Sequence, residues 1–571
     1  MTWRSESIPP VPETTAAMVK AAFPKGNLYV ELHTEFGAIY DDDQFADLYS
    51  QNRGRWVEIA PWRLALVTVM QYMEGLSDRQ AADAVRRCMD WKYALSLELS
   101  DPGFNFTLLH DFRERLVRHE GAQQLLDRLL ETCKARGWIK TRGKQRTDST
   151  HVLAAIRTLN RLELVLETLR AALNQLSEAD ARWGRGAVPL EWYELYGPRA
   201  ESYRLPKERS KRDALAVQIG ADGYALMDAI YSRDDAQHLR CLPDLEVLRC
   251  IWIQQYYRCS EPGLEEVRWR QNNEEPPSAL RIQSPYDLDV RYCTKRDTEW
   301  VGYKTHLSET CDEGYPNLIT QVLTTLSTTP DYVMGPPIQQ ELAGRDLLPG
   351  QQWFDAGYVD AELLVTAQSQ HQIEVVGPLS ANSGWQSRAA TGYGLEAFAL
   401  DWEAETARCP QGSHSVRWTP GHDVSGDPVV RIRFHGPTCR ACEVRSRCTA
   451  AKDQPRQLTV RPQAQHEAIQ AARKRQETDE FKAQYALRAG VESSLSQGVR
   501  RFDLRRSRYI GLARTQLQQT INATAMNLVR LVDWLRKGKV DPLKRRPGHF
   551  ARLAPPPKFG LAACLSSATA S

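Results

Sequence analysis

Tyr485-Ala486-Leu487-Arg488-Ala489-Gly490-Val491-Glu492 lies in a stretch whose apolar spacing predicts a helix from Thr478 to about Gln497. In such a helix Tyr485, Arg488 and Glu492 stand three and four residues apart and share one face. A core-facing stripe would want apolar groups at Arg488 and Glu492, and a solvated face would not want Tyr485. A face that mixes an aromatic ring, a guanidinium and a carboxylate suits a site that grips a phosphate while holding a metal. Just beyond it, Arg500, Arg501, Arg505, Arg506, Arg508 and Arg514 are opposed locally only by Asp503. A charge run commonly marks a solvated face, but one placed directly after this helix suits contact with a phosphate backbone. A second helix is expected from Leu512 to Arg536, carried by Leu517, Ile521, Ala525, Leu528, Val532 and Leu535.

Upstream of the helix, Leu379 to about Gln476 is rich in Gly, Pro and Cys and reads as an insertion. Cys439-x2-Cys442-x5-Cys448, with Cys409 before it, offers four soft ligands and the expectation of a structural zinc. An iron–sulfur cluster or four reduced, unliganded thiols are the alternatives. The other eight of the 12 cysteines are scattered singly and read as core residues.

Further back the pattern turns to strands. Thr147-Asp148-Ser149-Thr150-His151-Val152 reads as one, with a long helix after it over Ala154 to Leu176. Others are expected at Trp300 to Leu307, Leu318 to Ser327, Gln352 to Asp355 and Ile373 to Val376; Arg182 to Asp289 shows no clear order. Asp148 sits on the first of these strands and Asp355 at the end of a later one, before Ala356-Gly357. With Glu492 they make three carboxylates, a set suited to a pair of hard divalent cations such as Mg²⁺. Such a pair activates the attacking oxygen and stabilises the leaving one in phosphodiester transfer. His151 and His306 are expected near that site or as structural residues, and Trp353, Trp385 and Trp402 as packing or as stacking partners for a base.

The N-terminal part reads as helical from Ile59 to Ile139. Pro61 opens a helix with Leu64, Leu66, Val67, Met70 and Met73; Gly75 ends it and Ser77 caps a second, with Arg79, Arg86 and Arg87 exposed. Helix, Gly turn and helix is the pattern of a helix-turn-helix, or of any two packed helices. A further helical stretch is expected over Thr107 to Arg136.

Taken together, Tyr485 to Glu492 and the arginines of Arg500 to Tyr509 resemble the C-terminal signature of bacterial insertion-sequence DDE transposases, in the branch with a Tyr-Arg-Glu-Lys motif. Asp148 in Thr-Asp-Ser-Thr-His resembles the family's first aspartate, Asp355 in Phe-Asp-Ala-Gly-Tyr the second, and Glu492 the glutamate. One position departs: the family's lysine, seven residues after the glutamate, is Val499 here, and Arg500 or Arg501 is the substitute expected.

The resemblance implies an α/β fold with a ribonuclease H-like mixed sheet flanked by helices. It also implies an N-terminal helical region that binds DNA ends and a Cys-containing insertion before the catalytic Glu helix. The boundaries expected are 1–140 for the end-binding region and 141–378 for the first part of the core, with a helical insertion. The Cys block comes next at 379–476, the core's last helices at 477–540 and a basic, Pro-rich tail at 541–571. The implied activity is Mg²⁺- or Mn²⁺-dependent cleavage at transposon ends and transfer of the freed 3′-OH into target DNA. Catalytic and metal-holding roles fall to Asp148, Asp355 and Glu492. DNA contacts fall to Tyr485, Arg488, Arg500, Arg501, Arg505, Arg506 and Arg508. Implied partners are double-stranded DNA, as terminal inverted repeats and target, and further copies of the chain in a dimer or larger assembly. A catalytically inactive DNA-binding regulator, or a ribonuclease H-like nuclease that cuts without joining, are the alternatives.

Composition fits this without demanding it. The 571 residues carry 74 Lys+Arg against 71 Asp+Glu, a formal charge of +3. No apolar run reaches the ~20 residues of a membrane span, and Met1 to Pro12 has no signal-like apolar core, so a cytoplasmic location is expected, nucleoid-associated as the resemblance implies. The balance conceals an asymmetry: Arg500 to Arg552 holds 14 basic and three acidic residues, a local +11, which leaves −8 for the rest.

Overall fold

Lys144–Leu153 forms β1, the strand around which the chain is organised; most of its residues are buried because it has neighbours on both edges and layers on both faces. In the computed structural model, residues 7–49, 58–261, 264–295, 297–380, 384–388 and 392–539 are described; the tail expected at 541–571 lies outside them. β2 (Thr298–Thr310) runs antiparallel to β1 and sets Leu307 opposite Asp148 and His306 opposite Ser149. The other edge of β2 takes the short strand Arg291–Lys295 at its start and then β3 (Ile319–Leu326). On the far side of β1, β4 (Gln351–Trp353) and β5 (Glu374–Val376) pair in parallel. The sheet is therefore mixed, in the order β3-β2-β1-β4-β5: an antiparallel meander joined to two parallel strands. Helices Gly335–Gly344 and Ala361–His371 make the crossovers that parallel strands need.

One hydrophobic core joins the sheet to the N-terminal helices and to the long helix Leu512–Lys539. Pro61–Glu74 and Asp78–Arg87 form as their signals predict. Gly75 is left-handed at φ 69°, and Ser77 and Gln80 satisfy each other's backbone N–H in a capping box. The helical stretch expected over Thr107 to Arg136 consists of two helices, Thr107–Arg118 and Gln124–Ala135, parted where Glu120 turns left-handed at φ 53° before Gly121. The long helix carries polar side chains with no exposure, and several of them hold backbone elsewhere. Asn527 donates to Ile319 O (2.8 Å) and accepts from Ile319 N (2.7 Å). Gln516 does the same for Val322 O (3.0 Å) and Thr324 N (2.6 Å), so two amides occupy the open edge of β3.

Two further units, each with a core of its own, lie between elements of the sheet in chain order. Between β1 and β2, helices Arg161–Ala179, Arg209–Tyr231 and Pro243–Gln255 pack with the hairpin Tyr256–Glu261 and Leu264–Trp269 around a core of their own. The first of these helices starts at Arg161, not at Ala154, because Asn160 and Glu163 form its capping box. Between β5 and the Glu492 helix lies a small lobe, built on a three-stranded sheet of Ser415–His422, Pro428–Phe434 and Gln457–Val460. Its buried core is Phe398, Ala407, Val430, Ile432, Phe434, Leu458 and Val460. Among the described residues no helix is long and apolar enough to cross a membrane.

Candidate active site

β1 and β4 are parallel neighbours with Arg146 in register with Trp353, so Asp148, mid-way along β1, stands level with Asp355 just beyond the end of the shorter β4. Asp148 is buried on β1, its Oδ1 accepting from Ser149 N at 2.8 Å. Asp355 stands two residues beyond β4, in a turn where its Oδ1 accepts from Gly357 N at 2.9 Å.

Glu492 arrives differently from expected. In place of one helix over Thr478 to Gln497 there are three pieces: Asp479–Tyr485, a 3₁₀ turn Ala486–Ala489, and Gly490–Arg501. Arg146 explains the break. Its Nη1 donates to Leu487 O at 2.7 Å, and a Cβ on Gly490 would lie 1.9 Å from that same nitrogen. Arg146 Nε in turn pairs with Glu309 at 2.7 Å, and Glu309, 1% exposed, also accepts from Arg530 Nη1 at 2.9 Å and from Ser494 Oγ. A buried carboxylate with two arginines thus fixes where the Glu492 helix begins. Trp353 Nε1 adds a bond to Gln484 O (3.1 Å), and Tyr485 stacks on Phe481 with ring centroids 5.7 Å apart.

The three acids meet on one guanidinium. Arg488 Nη2 lies 2.7 Å from Asp148 Oδ2 and 3.9 Å from Asp355 Oδ2, while Nη1 lies 3.6 Å from Glu492 Oε1. Burial pushes the Asp148 carboxyl up to about 6, against the lowering effect of Arg488. The carboxylates open on a cleft of about 770 Å³ that is also lined by Tyr485, Val499, Arg500, Arg505, His151 and Trp300. Arg505 Nε holds Thr150 Oγ1 at 2.8 Å, and its own loop pairs with the end of β1 through Leu153.

The remaining arginines go elsewhere. Arg501 lies over the Phe502 ring, Arg506 is exposed outside the cleft lining, and Arg514 pairs with Glu114 at 2.7 Å. Arg508 covers the Tyr72 ring and donates to Leu76 O (3.1 Å), gripping the turn between the two N-terminal helices. His306 is buried against Tyr358 and Thr325, with burial pushing its pKa down to about 4. Trp353 is buried and Trp402 packs edge-on against Trp418.

Sequence reasoning missed a fourth acid. Asp331 binds Lys304 Nζ at 3.0 Å, lies 3.5 Å from Lys295 Nζ and accepts from Ser149 Oγ at 3.3 Å. Burial alone would raise its pKa, but the two lysines outweigh that and hold it below the usual range. Lys295 and Lys304 also line the cleft. Only the turn signal Thr329-Pro330-Asp331 marks the place, and such turns are common.

Two family models match the chain: a transposase DDE domain over residues 408–532 and a transposase domain (DUF772) over residues 18–115. The two matches indicate an insertion-sequence DDE transposase. The first spans Glu492, Arg488 and the four cysteines of the small lobe, and the second spans the helix pair at Gly75; Asp148 and Asp355 fall outside both. No curated protein and no solved structure matches. The DDE transposase family typically uses a divalent metal. Three oxygen-donor side chains around one point of positive charge suit a hard cation. As placed they converge on the guanidinium, and among the described residues no three of His, Cys, Asp or Glu stand close enough together to hold a metal.

The same finding bears on the expected zinc. Cys409, Cys439, Cys442 and Cys448 line one cavity of about 340 Å³, and burial raises the Cys448 thiol. The thiols form no disulfide and do not close on a common point, so the structural zinc finds no support in their geometry. The lobe brings the four together without joining them.

Proposed function

We propose that Asp148, Asp355 and Glu492 form the catalytic centre of a transposase that cleaves the ends of its element and joins the freed 3′-OH to target DNA. The observation that carries this reading is the meeting of three carboxylates, 207 and 137 residues apart in the chain, on a single guanidinium at one end of the sheet. The strand order supports a ribonuclease H-like core, in which an antiparallel meander precedes parallel strands and acidic residues gather on the first strand and beyond the fourth. The three carboxylates are the residues that would hold Mg²⁺ or Mn²⁺, which supplies activation of the attacking oxygen and stabilisation of the leaving one.

The chain's own groups do the rest. Arg500 and Arg505, on the cleft wall, bind the phosphates on either side of the scissile bond, and Tyr485 flanks them. Arg500, not Arg501, stands in for the lysine that Val499 replaces, because Arg500 lines the cleft while Arg501 covers Phe502. The N-terminal helices, with Arg79 and Arg87 exposed, contact the terminal inverted repeats, and two or more copies act on paired ends. The test is strand cleavage of a duplex bearing the element's own ends in Mg²⁺. Asp355→Ala should reduce it by at least ~10³-fold, and equal cleavage by the variant would overturn the assignment. A pre-cleaved end that is not joined to target would reduce the activity to that of a nuclease.

A further inference from the structure

We infer that Arg488 is an internal counter-ion that occupies the cation position of the carboxylate cluster, and that it must leave before the cluster can take divalent metal. The inference rests on the reading of Asp148, Asp355 and Glu492 as metal ligands and adds what controls their loading.

Three carboxylates in one place repel one another, and positive charge between them relieves that repulsion. Arg488 supplies it. Its two Nη atoms reach all three acids at 2.7, 3.9 and 3.6 Å, and its side chain is only 14% exposed. The contacts are unequal: one short bond to Asp148 and two looser approaches, so the guanidinium is shared between the acids and matched to none. Its Nε is buried with no hydrogen-bond partner, although a guanidinium can donate through every nitrogen. The present position therefore leaves one donor of Arg488 unused.

Nη2 lies between Asp148 and Asp355, so a cation that these two carboxylates would hold competes with it for the same space. None of the acids, as placed, reaches Nε, whereas a phosphate entering the cleft can set two oxygens against Nε and an Nη together. Arg500 and Arg505 already line the cleft to hold such a phosphate chain. Arg488 thus couples the two events. Phosphate draws the guanidinium off the acids and opens the cluster to metal, and by linkage metal favours phosphate by the same factor. A transposase built this way keeps its cluster closed until an end is in place.

The test measures Mn²⁺ binding to the full-length protein without DNA, by titration calorimetry and by the spin resonance of free Mn²⁺. Arg488→Gln should bind Mn²⁺ about ten-fold more tightly than the natural chain, and Arg488→Lys should bind like the natural chain. A duplex carrying the terminal repeat should tighten Mn²⁺ binding by the natural chain and leave Arg488→Gln unchanged. Equal or weaker binding by Arg488→Gln overturns the inference, as does a natural chain whose Mn²⁺ affinity ignores the duplex; the latter measurement needs no variant to fold. Mn²⁺ binding that persists in Asp355→Ala would instead overturn the ligand assignment itself, so the two failures are distinct.

Discussion

The sheet-bearing body and the cysteine lobe solve the same problem, placing polar side chains inside protein, in opposite ways. The body shares one large core among the sheet, the N-terminal helices and the Leu512–Lys539 helix, and within it Glu309 is 1% exposed with two arginines on it. The lobe's core cluster has seven buried apolar residues among those described, and its four cysteines line a cavity. Dense packing on every side lets a charged network be held in one geometry, whereas a small core leaves its functional-looking groups near one another but unjoined.

The contrast can be broken at its strongest point. Glu309→Ala removes the acceptor shared by Arg146 and Arg530 and should cost roughly 3–5 kcal/mol in global denaturation, with the Glu492 helix exchanging its amides fastest. Phe434→Ala deletes a lobe core ring at a similar roughly 3–5 kcal/mol, but its effect should stay local. Hydrogen exchange should rise across residues 399–460 and not in β1 to β5; spread into the sheet would show that the two regions fold as one.

Acid should distinguish them next. His306 is held neutral inside the body, with a pKa about 4 against 6.5 when unfolded. Its depressed folded value means that the stabilisation is present above pH 6.5 and is lost as pH falls toward 4, by about 3 kcal/mol. Denaturation titrations at pH 7 and pH 4 should show that loss, and His306→Asn should remove most of it. A smaller effect is expected at the sheet edge: Asn527→Ala strands both backbone groups of Ile319 and should cost about 1–3 kcal/mol by chemical denaturation. The smallest belongs to the arginine loop. Arg500→Ala should lower the salt dependence of DNA binding by about one phosphate contact, while Arg508→Ala, whose side chain serves Tyr72 and Leu76, should leave that slope unchanged.

These residues also show what could be read in advance. The helix pair at Gly75 was legible because Gly75 and Ser77 act through their own backbone geometry, which local sequence determines. The strands with Asp148 and Asp355 were legible from β-branched runs and a Gly turn, and the approach of both to Glu492 came from the resemblance. The break at Gly490 was not, because its cause is Arg146, more than three hundred residues away in the chain. Nor was the division of labour among the arginines, since Arg500 and Arg508 look alike until tertiary packing sends one to the cleft and the other to Tyr72. Asp331 was invisible for the same reason: its meaning comes from Lys304 and Lys295, brought to it by β2 and the strand beside it.

The amides of Asn527 and Gln516 carry a last consequence. By bonding to Ile319, Val322 and Thr324 they make the long helix behave as a counterfeit strand, and the sheet ends there by imitation. Along those residues β3 has no free ladder to offer a newcomer. Any chain that docks on this protein by adding a strand must therefore find another place than this rim of the sheet, which has already been sealed from within.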